Sequence, residues 1–227
     1  MGRDVIIACD FSTEEELFEL LDKLDGLNPY LKIGMESFYM GGSDLVRKIK
    51  ERGFKVFLDL KLHDIPNTVG KAMNVLSKLG ADIVNVHAAG TVRMMEKAKE
   101  NAGDAIVIAV TQLTSTDEET MHEELKIPGK MEAVVGAYAM NAKRAGLQGV
   151  VCSALEAAKI HELCGDDFLT VTPGIRLEGD SADDQKRVVT PALARELGSD
   201  YIVVGRSITK AEDPRAAYER CLEEFVG

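Results

Sequence analysis

Apolar and polar positions follow two rhythms along this chain. Short β-branched runs stand at 5–11, 30–35, 55–61, 83–87, 105–112, 149–152, 168–172 and 201–204. Between them lie stretches with apolar residues at helical spacing: 14–24, 42–52, 67–79, 92–101, 131–145, one that ends at 163, 191–197 and 214–225. Runs such as Ile106-Val107-Ile108-Ala109-Val110 are apolar throughout, as expected of parallel strands covered on both faces. Ser12 or Thr13 precedes a Glu-rich helix and suits its N-cap. Gly53, Gly80, Gly146 and Gly198 fall at helix-to-strand joints, where a residue tolerant of left-handed backbone ends a helix. The pattern makes eight strand–helix units, with no Gly-x-Gly-x-x-Gly after the first strand. It therefore predicts a closed (β/α)8 TIM barrel, one catalytic domain over 1–227, rather than an open doubly wound sheet.

Composition narrows the partners. The 227 residues are 45% hydrophobic and 29% charged, an ordinary globular balance, with a net charge of −11. No Lys/Arg cluster forms a basic face, so a nucleic-acid partner is not expected. A small anionic substrate would need a few well-placed cations to overcome the global field. Cys9, Cys152, Cys164 and Cys221 make no Cys-x-x-Cys pair, and the histidines give no zinc spacing. They read as free buried thiols in a reducing compartment. Neither a leader-like segment nor an apolar run of ~18 residues is present, so a cytoplasmic protein with no membrane partner is expected.

In such barrels chemistry gathers at the C-terminal strand ends and the loops that follow. Polar residues placed there are Asp10, Lys32, Asp59, Lys61, Asp64, His87, Thr111, Gln112, Thr114, Ser115, Ser153, Thr172, Arg176, Gly205 and Arg206. The third strand stands out. Strand side chains alternate faces, so Asp59 and Lys61 point one way and Leu58, Leu60 and Leu62 the other. The leucines suit the layer between sheet and helices, which sends Asp59 and Lys61 into the barrel mouth. Buried charges are costly unless paired, and Asp10 and Lys32 occupy comparable strand ends. Two carboxylates and two ammoniums at the catalytic end point to chemistry more than to a structural ion-pair network.

Other polar features read as structural. His87 is expected to be a core or hydrogen-bonded histidine, His63 to pack or support the strand end, and His122 and His161 to lie on helix surfaces. Met94, Met95, Met121 and Met131 read as packing residues. The polar segment 176–189 reads as a lid that orders over ligand.

Asp59-Leu-Lys61-Leu-His-Asp64-Ile65-Pro-Asn-Thr68 resembles the D-x-K-x-x-D-I-P-x-T signature of bacterial-type orotidine 5'-monophosphate decarboxylases. Ala8-Cys9-Asp10-Phe11, Leu31-Lys32-Ile33-Gly34, Leu113-Thr114-Ser115, Val171-Thr172-Pro173-Gly174-Ile175-Arg176, the Gln185-to-Pro191 stretch and Val204-Gly205-Arg206-Ser207-Ile208 fall in the family order. The resemblance implies loss of carbon dioxide from C6 of orotidylate with no cofactor and no metal. Lys61 would serve as the fixed cation beside C6 and as the proton donor, with the opposite charges of Asp59 and Asp64 beside it. Asp59 would stand next to the substrate carboxylate, a repulsion relieved as carbon dioxide leaves. Lys32 would hold Asp59, and Asp10 and Lys32 would contact the ribose.

The same resemblance implies a substrate-binding set for orotidine 5'-monophosphate. Thr114 and Ser115 would meet the pyrimidine, Gln185, Gly205 and Arg206 the phosphate, and Pro173 and Arg176 would line the same site. Ile65 belongs to the same set, and Asp64 and Thr68 would reach the site of the partner subunit in a homodimer. For Ser115, capping of the following helix is the structural alternative. Two further readings compete. One is a metal-dependent phosphosugar synthase or decarboxylase of the same suprafamily, which shares D-x-K-x-x-D. The other is a non-catalytic nucleotide-binding barrel, which would have no need of Lys61.

Overall fold

A computed structural model describes residues 2–179 and 189–227 of the chain. Eight parallel strands close into one barrel in sequence order, β1 to β8, with β8 pairing back onto β1. The strands are β1 (Asp4–Cys9), β2 (Tyr30–Gly34), β3 (Lys55–Leu62), β4 (Ile83–His87), β5 (Ile106–Val110), β6 (Gly149–Val151), β7 (Leu169–Ile175) and β8 (Tyr201–Val204). The helices are α1 (Glu14–Lys23), α2 (Met35–Glu51), α3 (Pro66–Ser77), α4 (Thr91–Glu100), α5 (Glu118–Glu123), α6 (Met131–Arg144), α7 (Ala157–Cys164), α8 (Pro191–Glu196), α9 (Arg206–Thr209) and α10 (Pro214–Phe225). The TIM barrel expected from the sequence is the fold observed.

Side-chain alternation divides the core into two layers. Val5, Ile7 and Cys9 of β1 face the helices, in a layer shared with Leu31, Ile33, Val56, Leu58, Val84, Ile202 and Val204. Ile6 and Ala8 face the barrel interior, packed with Tyr30, Phe57, Ile83, Ile108, Leu169, Val171, Tyr201 and Val203. This interior plug fills the barrel and forms the floor under its C-terminal mouth. Gly149 is required inside it, because a Cβ there would stand 2.3 Å from the Leu169 carbonyl oxygen.

Local signals set most helix ends. Thr13, not Ser12, caps α1 and accepts from the Glu16 amide. Asp213 caps α10, and Pro214 occupies its first turn. Gly53, Gly80, Gly146 and Gly198 all take positive φ, between 77° and 89°, as their place at the joints predicts.

Two elements differ from the pattern reading. Helical backbone begins at Met35 rather than at 42 and breaks at Gly42, where φ is 58° and ψ is −151°. Four residues at 206–209 add α9, too short to carry a period. Met94, Met95 and Met121 are fully buried, as packing residues should be. All four cysteines are buried and outside any disulfide, and burial pushes the Cys9 thiol up to about 12, so it is inert near neutrality. Among the described residues no helix is long and apolar enough to cross a membrane.

Candidate active site

Four charged side chains meet at the barrel mouth, delivered by adjoining strands. Asp10 follows β1, Lys32 lies in β2, and Asp59 and Lys61 lie in β3. The Lys32 ammonium donates to Asp10 Oδ1 at 3.1 Å and stands 3.3 Å from Asp59 Oδ2. The Lys61 ammonium donates to Asp59 Oδ1 at 2.6 Å. The charges thus alternate in a line, Asp10, Lys32, Asp59, Lys61. Its middle is sealed and its ends are open: Lys32 and Asp59 side chains are 11% and 13% exposed, Lys61 29% and Asp10 55%.

Burial alone would drive the Asp59 carboxyl up and the Lys32 ammonium down. At Asp59 the two ammoniums, with hydrogen bonds from Lys61 and Asn85, overcome burial and hold the carboxyl below its usual range. At Lys32 the carboxylates of Asp59 and Asp10 likewise overcome burial and hold the ammonium above its usual range. Both groups are fixed in their charged forms. That is what a preorganised electrostatic site requires.

Simple alternation does not carry β3 as far as Lys61. The pairing of β3 with β4 shifts register between Leu58 and Leu62, and Lys61 takes a φ of 49°. Leu58 is fully buried in the layer under the helices, while Leu60 and Leu62 are only half-buried against it. A left-handed non-glycine residue costs about 1–3 kcal/mol and persists only where its surroundings enforce it. Here Asn85, fully buried in β4, enforces it. Its Oδ1 accepts from the Lys61 backbone amide at 2.7 Å, and its Nδ2 donates to Asp59 Oδ1 at 2.6 Å. Asn85 is the site residue that the sequence reading missed. Its signal was a lone amide on the inward face of Ile-Val-Asn-Val-His.

Two cavities open on this line of charges and share Lys32, Pro173 and Val203. One, of about 690 Å³, is lined by Asp10, Lys32, Pro173, Arg176, Gly205 and Arg206 among others. The second, of about 370 Å³, is lined by Asp59, Lys61, Gln112, Thr114, Ser115 and Pro173 among others. The basic end and the Lys61 end are therefore joined across Lys32. Arg176 is buried and donates to the Ile175 carbonyl at 2.9 Å. Ser115 does not cap the following helix, since Asp117 takes that place and accepts from the Thr120 amide. Gly34 ends β2 directly beneath the first ion pair: a Cβ there would stand 2.9 Å from Asp10 Oδ1 and 3.1 Å from Lys32 Nζ.

Some expected site residues stand apart in the single chain. Asp64, Ile65 and Thr68 are exposed and line neither cavity. The Asp64 carboxylate accepts from the Ile65 amide at 2.6 Å. Gln185, and most of the segment read as a lid, lie outside the described residues.

Several polar strand-end residues serve the barrel itself. Thr172 donates to the Tyr201 carbonyl and shares a hydrogen bond with the Ser199 hydroxyl, Thr111 donates to the Val151 carbonyl, and Ser153 closes a capping box with Glu156. His87 accepts from the Ala89 amide and stacks on His63 at 5.4 Å, which fits a hydrogen-bonded histidine. His161 is not the surface residue expected. Its side chain is 15% exposed, with Nε2 3.3 Å from Asp200 and 3.1 Å from the Gly198 carbonyl. Among the described residues no group of three or more His, Cys, Asp or Glu is arranged to hold a metal ion.

Comparison with known proteins agrees with this geometry. The description "Orotidine 5'-phosphate decarboxylase / HUMPS family" matches residues 3–221. An orotidine 5'-phosphate decarboxylase of Bacillus caldolyticus is 55% identical, over 100% of this chain and 96% of the relative. One from Bacillus cytotoxicus is 51% identical, over 100% of this chain and 99% of the relative. The crystal structure of orotidine 5'-phosphate decarboxylase from Lactobacillus acidophilus superposes with a TM-score of 0.90 at 44% identity, covering 100% of both chains.

Proposed function

We propose, for a chain that belongs to the orotidine 5'-phosphate decarboxylase / HUMPS family, that it converts orotidine 5'-monophosphate to uridine 5'-monophosphate and carbon dioxide, the closing step of de novo UMP synthesis. Residues 1–227 act as one catalytic domain. The observation that carries the mechanism is the line Asp10, Lys32, Asp59, Lys61 across two joined cavities. The curated relatives at 50–55% identity favour this activity over that of a metal-dependent phosphosugar relative.

The reaction breaks the bond between C6 and the carboxylate and leaves the electron pair on C6. No neighbouring carbonyl can take that pair, so the surroundings must hold it. Lys61 supplies a cation beside C6 and passes an Nζ proton to it, and the amine regains a proton from water. Asp59 keeps the Lys61 ammonium aimed and stands against the substrate carboxylate, whose departure relieves the repulsion. Lys32 holds Asp59 from its other oxygen and, with Asp10, takes the ribose. No cofactor or metal takes part in this scheme.

Binding energy comes from the far end of the substrate, where it can organise the reacting centre. Arg206, Gly205, Arg176 and Gln185 take the phosphate, and an arginine can hold it through two parallel bonds. Thr114, Ser115 and Pro173 take the pyrimidine. Asp64, Ile65 and Thr68 complete the site of a second copy in a homodimer. Their exposure supports this, with the apolar side chain of Ile65 66% exposed. The enzyme works in the cytoplasm on a small-molecule substrate, without nucleic-acid or membrane partners.

The test is an absorbance assay with orotidine 5'-monophosphate in excess EDTA, beside Lys61→Ala. Loss of the orotate chromophore with uridylate formed, and none in the variant, is the expected result. Retained activity in Lys61→Ala would remove the lysine from its role. Turnover of a hexulose phosphate only with added metal would overturn the whole reading.

A further inference from the structure

We infer that Asn85 is a positioning residue for decarboxylation, clasping the Asp59 carboxylate and the Lys61 backbone with one amide so that the Lys61 ammonium is held at the reacting carbon. The inference rests on the decarboxylase reading of this site. Three observations meet on this side chain. Asn85 has no exposed surface, in a strand whose neighbours are Val84 and Val86. A buried amide in such a strand is expensive unless both its ends are satisfied. Its two ends are taken by the two residues that matter most, Asp59 Oδ1 at 2.6 Å and the Lys61 amide at 2.7 Å.

The third observation is the backbone. Lys61 sits at φ 49° at the point where the β3–β4 register slips between Leu58 and Leu62. Had β3 stayed regular, the Lys61 amide would have pointed at a backbone carbonyl of a neighbouring strand. Instead a side chain of β4 takes that bond and fixes the turn. Asn85, Asp59 Oδ1 and Lys61 Nζ thus form a small closed circuit: the amide aims the carboxylate, the carboxylate aims the ammonium, and the amide also anchors the ammonium's own backbone. No other natural side chain of this length both donates at one end and accepts at the other without charge. Aspartate would lose the donor and set a second carboxylate against Asp59.

The test uses the full-length protein as Asn85→Ser and Asn85→Asp, with wild type assayed alongside. For each, kcat and KM for orotidine 5'-monophosphate, the Kd of uridylate, the melting temperature and the pH dependence of kcat are measured. Serine is too short to span both partners. Misplacement of a reacting group by about 1 Å can cost ~100-fold. Asn85→Ser is expected to lose about 100-fold in kcat, with KM and uridylate Kd within about threefold of wild type. Its acid limb should move to higher pH, because Asp59 loses a hydrogen bond that favours its charged form. Asn85→Asp should lose more kcat and move the limb further.

A kcat within threefold of wild type in either folded variant overturns the inference. So does a loss of kcat matched by an equal loss of uridylate affinity with no shift of the acid limb, or failure of both variants to fold. Either of these would make Asn85 a core residue only. Absence of turnover by the wild type would instead overturn the decarboxylase reading.

Discussion

The Lys32 ammonium stands 3.3 Å from Asp59 Oδ2, the carboxylate oxygen that Lys61 does not take. Each oxygen of one buried carboxylate therefore meets its own ammonium. Such an arrangement holds the Asp59 charge in place from both sides, and Lys32 is expected to act on turnover through Asp59. In Lys32→Met, Asp59 keeps a single ammonium. Removing one partner of a buried pair costs about 3–5 kcal/mol. A loss of that order in urea unfolding is expected, together with a fall in kcat/KM of about 100-fold or more. A variant as active as wild type would show that Asp59 needs only Lys61.

Arg206 is expected to act on the phosphate alone. A hydrogen bond to a charged group contributes about 1.5–3 kcal/mol, roughly 10- to 100-fold in affinity. Titration calorimetry of Arg206→Ala should show uridylate weakened by that factor and uridine, which has no phosphate, bound as before. Equal weakening of both ligands would mean that Arg206 shapes the pocket rather than holding the phosphate.

Gly34 is held at its size by the ion pair above it. Its backbone is extended, at φ −83° and ψ −175°, so alanine is not strained there by conformation. The cost of Gly34→Ala is steric, with the new methyl 2.9 Å from Asp10 Oδ1 and 3.1 Å from Lys32 Nζ. Crowding of this kind costs typically 1–3 kcal/mol, and denaturant unfolding should show a loss in that range. Activity should fall as well, since Lys32 must move. Full stability with full activity would show that the pair shifts freely.

His87 links stability to pH. Burial, then His63, then Lys61 disfavour its imidazolium, so it titrates below the usual histidine range. The unfolded chain takes up this proton near pH ~6.5, and the folded chain only at lower pH. The folded pKa is depressed, so the stability tied to His87 is complete above about pH 6.5 and is lost as pH falls through the folded value. Melting temperatures of wild type should drop over that window more than those of His87→Asn, whose carbonyl can still accept from the Ala89 amide. Parallel curves for the two proteins would place the acid sensitivity elsewhere.

Much of this molecule is local in origin and was legible residue by residue. The strand Ile83–His87, the strand Tyr201–Val204 and the helix Pro214–Phe225 were read from the chain with the ends they have in the fold. Apolar period acts within a few residues, so no distant partner was needed to see them, and the Asp213 cap and first-turn Pro214 that the fold adds act over the same short range. Asp10, Lys32, Asp59 and Lys61 were legible for a related reason: in a closed parallel barrel, position along a strand already says which end a side chain occupies.

The rest depended on contacts between elements far apart in the chain. The helical turns from Met35 and the break at Gly42 were not visible in the apolar period. His161 is drawn inward because Asp200 and Gly198 arrive beside it from the joint just before β8. Above all, alternation along β3 placed Asp59 and Lys61 on one side, but only the slipped pairing with β4 gave Lys61 its left-handed backbone and brought Asn85 between the two. The sequence by itself determined the barrel and the end at which its charges gather, because both follow from short-range periodicity. Which charge meets which atom was decided by the tertiary structure alone, because hydrogen-bond geometry depends on strand register, and register is set by the whole closed sheet.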